Sequence, residues 1–176
     1  MSSPITTSRN STVALEPEGS YEETPIFGVV KFIPRWALPQ VEAAVKDFMV
    51  TSHLPAGIDV HGFYYQTLEA IANTTYLGGP GDFWLATYNG RVVVYGLAHI
   101  SKDIDQKLCY HISQMWVAKE FRGKQIVKAW WEQIRQRAKD CLCGHLSLTS
   151  SRNPKAYERW LGDGLTHYAD LLKMTL

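Results

Sequence analysis

Two β-rich runs, Phe83–Tyr88 and Arg91–Ile100, are separated only by Asn89-Gly90. A two-residue connection in which both residues accept positive φ is the signature of a type I′ turn. Its twist matches that of two antiparallel strands, so the runs must pair as a hairpin. A polar stretch, Ser101–Lys107, then reads as the next turn, and Leu108–Val117 as a third strand. Residues 83–117 therefore predict an antiparallel meander. Such a sheet folds stably only when helices or a second sheet cover its apolar face.

The flanking segments supply those helices. Phe27–Ile33 is apolar apart from Lys31 and closed by Pro34, which predicts a short strand. Pro39 suits a first helical turn, and Val41, Ala44, Val45, Phe48 and Met49 recur at helical spacing, so a helix is expected over 39–52. Phe63–Tyr76 predicts a second helix, ended by Gly78, Gly79, Pro80 and Gly81. After Arg122-Gly123 a long helix is expected, with Ile126, Val127, Trp130, Trp131, Ile134, Ala138 and Leu142 on one face and Gly144 as its stop. His145–Thr149 reads as a short strand. Asn153-Pro154 opens a further helix to Leu161, and Leu165–Leu176 reads as one or two terminal strands. The order β-α-α-β-β-β-α-β-α-β implies a mixed α/β sheet flanked by helices.

The 176 residues suit one domain. Seven of the first twelve are Ser or Thr, and four glutamates follow by Glu23, so residues 1–24 read as a flexible or partner-ordered arm ahead of a single domain over 25–176. No apolar run nears the roughly 20 residues of a membrane helix. Three cysteines suit a reducing, cytoplasmic setting. Cys141, Cys143 and His145 lack a fourth ligand at zinc-like spacing, so no metal is assigned. The formal charge of +1 argues against a nucleic-acid partner. Yet residues 119–159 hold ten basic side chains against four acids, which marks a local site for an anion. Within it, the turn after Val117 leads to a helix start whose free N–H groups favour phosphate, with Arg122, Lys124 and Lys128 beside it.

The order of elements, the V-x-x-x-x-R-G-K turn of Val117–Lys124 and the N-x-x-A-x-x-x-W-x-x-x-G-L stretch from Asn153 to Leu165 resemble the GNAT superfamily of acyl-CoA-dependent N-acyltransferases. That resemblance implies a mostly antiparallel central sheet, acetyl-CoA as cofactor and an amine, on a small molecule or a protein, as acceptor. It implies that backbone at Met115, Trp116 and Val117 receives the pantetheine arm. Arg122, Gly123, Lys124, Gln125, Ile126, Val127 and Lys128 would form the diphosphate loop, and Asn153 and Ala156 match further cofactor positions. The family carries small residues where this chain has Gln125 and Val127, so the loop is expected either to bind in weakened form or to be closed.

A tyrosine of the family, able to protonate the leaving thiolate, corresponds to Trp160. Indole is not a usable acid, and Tyr157 replaces it only if the helix is rotated. For the base, His111 and Gln114 lie in one strand, on opposite faces by their spacing, and only His111 titrates; Glu120 and His99 are further candidates. Two readings follow from the resemblance. One is an N-acetyltransferase. The other is an inactive binding or assembly protein of the same fold, of the kind some tailed bacteriophages encode, associated with the virion and held to a protein partner by the N-terminal arm.

Overall fold

The structure, a computed structural model, describes residues 26–148 apart from 53, 55, 56, 104 and 105. The expected arm over 1–24 and everything expected beyond 148 lie outside the described residues. Those include the helix from Asn153, the terminal strands, and Asn153, Ala156, Tyr157 and Trp160. The described elements are β1 (Phe27–Val30), α1 (Leu38–Thr51), α2 (Val60–Thr75), β2 (Asp82–Tyr88), β3 (Arg91–Lys102), β4 (Leu108–Val117), α3 (Gln125–Asp140) and β5 (His145–Leu148). A single 3-10 turn, Lys119–Phe121, joins β4 to α3.

The five strands lie in the order β1-β2-β3-β4-β5. The first three pairings are antiparallel, and β4 to β5 is parallel, as the intervening helical crossover requires. The hairpin turn is as read: Asn89 and Gly90 both have positive φ, 48° and 66°. α1 and α2 cover one face of the sheet. There Val41, Val45 and Ile71 pack on Phe83, Leu85, Tyr95 and Leu97. α3 covers the other, with Trp130 and Ile134 against Trp84, Val94 and Tyr110. Each fully buried Val, Leu or Phe in these layers contributes about 2 kcal/mol.

Local expectations shift at four places. β1 stops at Val30 rather than Ile33; Phe32 is exposed while Ile33 turns into the core. α2 starts at Val60, three residues early. Ser101 and Lys102 are not turn but strand, paired with Cys109 and Leu108. Leu142 does not extend the buried face of α3. The helix ends at Asp140, and Leu142 adopts φ 58° in a C-terminal reversal, where the Cys143 N–H donates to the Ala138 carbonyl at 3.0 Å. Once out of helical phase its side chain swings into solvent and is 83% exposed.

The most consequential departure is a bulge in β4. Leu97 pairs with Gln114 and Ala98 with Ile112, which leaves Ser113 as an extra residue, its hydroxyl donating to the Leu97 carbonyl at 3.2 Å. An inserted residue reverses strand parity. His99 pairs with His111 as Leu97 pairs with Gln114, and Leu97 and His99 are two apart on an uninterrupted strand. His111 and Gln114 therefore share the α1/α2 face, and the expectation of opposite faces is corrected.

Candidate active site

Two neighbouring features of β4 make up the site. The first is its C-terminal end. Pairing with β5 runs from Cys109–His145 to Ile112–Leu148. Beyond Ile112 the edge of β4 away from β3 has no strand partner among the described residues. The Ala118 N–H reaches back to the Val93 carbonyl of β3 at 2.9 Å, so the backbone of Val117 points the other way, to that open edge. Strand alternation turns the N–H and C=O of Met115 to the same edge. The side chains of Met115 and Val117 lie on the α3 face. Trp116 lies on the opposite face, its indole stacked on Tyr95 and donating to Asp47 Oδ2 at 2.7 Å.

The open edge leads directly into the basic turn. Arg122 donates from Nε to the Val117 carbonyl at 3.1 Å. Gly123 adopts φ 77°, which a side-chain-bearing residue rarely takes. Lys124 caps α3 without a side-chain hydrogen bond, so the amides of Gln125 and Ile126 have no partner among the described residues. The Lys124 ammonium lies over the Phe121 ring, and Lys128 is exposed one turn along. Glu120, a candidate base from sequence, is exposed and engaged with Arg91 at 2.9 Å. Ile126 and Val127 are half-buried against the cluster around Trp130, and Gln125 is exposed.

The second feature lies on the α1/α2 face, two residues before the bulged Ser113. His111 Nδ1 is 2.8 Å from Ser147 Oγ, and the same oxygen is 2.9 Å from Cys109 Sγ. The rings of His99 and His111 are 5.1 Å apart. Burial first, and the neighbouring His99 second, hold the His111 imidazole below the ordinary histidine range, so at pH 7 it is neutral and able to take a proton. Gln114 is buried. Its amide nitrogen donates to Thr67 of α2 at 2.7 Å, and its carbonyl oxygen faces the Tyr95 hydroxyl. Ser147 and Cys109 received no role from the sequence. The alternation of His145–Thr149 placed Ser147 in phase with His145, but only the parallel register sets it against His111.

A strand edge that opens into a cationic, uncapped helix start suits an extended anionic ligand, and a neutral imidazole suits proton transfer. Comparison with known proteins identifies the family. Residues 39–162 match the model of the Acetyltransferase (GNAT) family. That is more than half of the chain, and the chain belongs to that family. No curated protein matches it in sequence. Among solved structures it is similar to a glucosamine-6-phosphate N-acetyltransferase from Arabidopsis thaliana, with TM-score 0.56, 16% identity, and coverage of 85% of this chain and 98% of that one. It is similar to an acetyltransferase from Clostridium acetobutylicum solved with acetyl-CoA, at TM-score 0.58, 13% identity and coverage of 81% and 92%. It is also similar to a transcriptional regulator from Bacillus halodurans, at TM-score 0.60, 14% identity and coverage of 87% and 100%. At such identities these likenesses establish the shared fold, a mixed α/β sheet with flanking helices.

Proposed function

We propose that the chain is an N-acetyltransferase that moves an acetyl group from acetyl-CoA to an amine. The observation that carries this reading is the continuity of the free edge of β4 with the uncapped start of α3, ringed by Arg122, Lys124 and Lys128. The residues present suit the cofactor. The amides of Gln125 and Ile126, unpartnered among the described residues, with the positive φ of Gly123, would hold the diphosphate. The cations beside them would offset its charge. The backbone of Met115 and Val117 would take the pantetheine arm, while the N–H and C=O of Trp116 between them turn to β3. The half-buried seat of Val127 against the Trp130 cluster supports an open loop over an occluded one.

When bound, acetyl-CoA supplies an acetyl group already activated as a thioester. The chain's own residues then have three tasks. The α3 amides and basic side chains bind and orient. The strand edge aligns the reacting end. His111, neutral at working pH, receives the proton that the amine loses on attack. Gln114, held by Thr67 and Tyr95, acts as a strut between β4 and α2. Tyr157 as the acid that protonates the leaving thiolate, with Trp160 at the family's tyrosine position but unable to give up a proton, and Asn153 and Ala156 at the cofactor, carry over from the family resemblance as parts of the same proposal.

The test is calorimetric titration of acetyl-CoA into the full chain. A Kd on the order of 10 μM is expected, weakened about tenfold or more by Arg122→Ala with Lys124→Ala. Absence of binding at millimolar cofactor overturns the reading. Affinity gained only in a Gln125→Gly, Val127→Gly variant identifies the native loop as closed and leaves the binding or assembly role.

A further inference from the structure

The row of side chains that β4 presents to α1 and α2 ends in a carboxylate, and what it binds rests on the reading of this strand as an N-acetyltransferase site. His111, Gln114 and Trp116 share that face once Ser113 is bulged out. Trp116 is 8% exposed, and its indole donates to Asp47 Oδ2 of α1 at 2.7 Å. An indole N–H only donates and a carboxylate only accepts, so the direction of this bond is fixed. The bond holds an exposed carboxylate still, beside the stretch of β4 whose edge would take the cofactor.

A buried indole needs an acceptor, but it does not need a charge, since a neutral carbonyl would serve. The charge of Asp47 is also not used by the protein itself. Among the described residues Glu42 has Lys46 as basic partner, Asp82 has Arg137 and Glu120 has Arg91, whereas Asp47 has none. Lys46, next to it in the chain, is committed to Glu42 at 2.9 Å and lies over the Tyr64 ring. A carboxylate offers about four lone-pair sites, and the indole occupies one of them. The field of the charge extends along the row: after burial, Asp47 is the second cause that drives the Tyr95 phenol above its usual range, and the Tyr95 hydroxyl faces Gln114.

We propose that Asp47, oriented by Trp116, binds the acceptor, which is an amine carrying a second positive charge remote from the nitrogen that is acetylated. The far cation sits on the Asp47 carboxylate and the near nitrogen reaches His111. With Ser113 bulged out, about four strand rises, on the order of 14 Å, separate His111 from Trp116 along β4. The acceptor is therefore long-armed, laid along the α1/α2 face of the strand. Asp47 binds and orients it and takes no part in the transfer.

The test compares octane-1,8-diamine with 8-aminooctan-1-ol, which differ in the charge of one end. Calorimetry of the full chain in the presence of coenzyme A is expected to show the diamine bound about tenfold more tightly, by less at raised salt. The same difference is expected between their KM values as acetyl acceptors. Asp47→Asn keeps an oxygen for the indole, so the packing survives, and it is expected to erase the difference. Trp116→Phe removes the donor but leaves a ring on Tyr95, and it is expected to give up part of the difference. Equal affinity for the two amines in the parent, or a difference that persists in Asp47→Asn, overturns the acceptor site. A difference that Asp47→Asn erases, in a chain that transfers no acetyl group, overturns the N-acetyltransferase reading and leaves the cation site standing, so the two failures are distinguishable.

Discussion

Tyr110 and His111 are consecutive on β4 and point to opposite faces of the sheet, and the polar groups around them are organised for different ends. Tyr110, on the α3 face, sits in a closed network. Its hydroxyl accepts from Trp84 Nε1 at 2.8 Å and donates to Asp82 Oδ2 at 2.8 Å, and Arg137 grips the same carboxylate at 2.7 and 3.0 Å. Every donor direction there is dictated, since Trp and Arg only donate and an ionised carboxylate only accepts. Burial pushes the Asp82 pKa up, but the hydrogen bonds of Arg137 and Tyr110 outweigh it and hold the carboxyl below the ordinary carboxylate range. Burial drives the Tyr110 phenol far above its usual range. Neither group changes state near neutral pH. Around His111 the described groups include the Ser147 hydroxyl, the Cys109 thiol beside that hydroxyl and a second imidazole, each able to donate or accept. A network of one-way groups builds structure; a network of reversible groups can move a proton.

The largest effect that would sharpen this contrast is expected at Asp82. Asp82→Ala leaves Tyr110 and Arg137 without their acceptor, and it should cost about 3 kcal/mol, toward the low end for a buried pair because Arg137 is partly solvated. Denaturant melts measure this, and a loss under about 1 kcal/mol would place the network among ordinary surface pairs. The acid dependence of stability should divide between the two faces. A depressed carboxylate contributes stability that is lost as pH falls through its folded pKa, so Asp82→Asn should flatten the limb below about pH 4. A depressed histidine binds its proton more readily unfolded, so stability should fall as pH drops below about 6.5, and His111→Gln should remove that part alone. Urea midpoints across the two windows check both assignments. The smallest effect is expected for Ser147→Ala, whose half-buried hydroxyl should cost about 1 kcal/mol or less of stability. A penalty as large as that of Asp82→Ala would make the two clusters alike and erase the distinction.

Much of the scaffold was legible beforehand because its causes are local. The Asn89-Gly90 hairpin needs only two positive φ angles, and the inward face of α3 needs only the spacing of Trp130, Ile134 and Ala138. The basic turn at Arg122-Gly123 was likewise found where the sequence placed it. The errors have causes that local pattern does not contain. Leu142 continues the apolar spacing of α3, but the chain reverses there to bring β5 alongside β4, and the side chain loses its face.

The residues alone therefore determined which segments become strand and helix, which helix faces turn inward and where cations gather, since each follows from a period or a turn preference spanning a few positions. Tertiary structure alone decided that Ser113 bulges, so that His111 and Gln114 share a face, and that Ser147 lies against His111 across the parallel pair. Strand parity and register are set by the partner strand's hydrogen bonds, and a single inserted residue inverts every side chain beyond it.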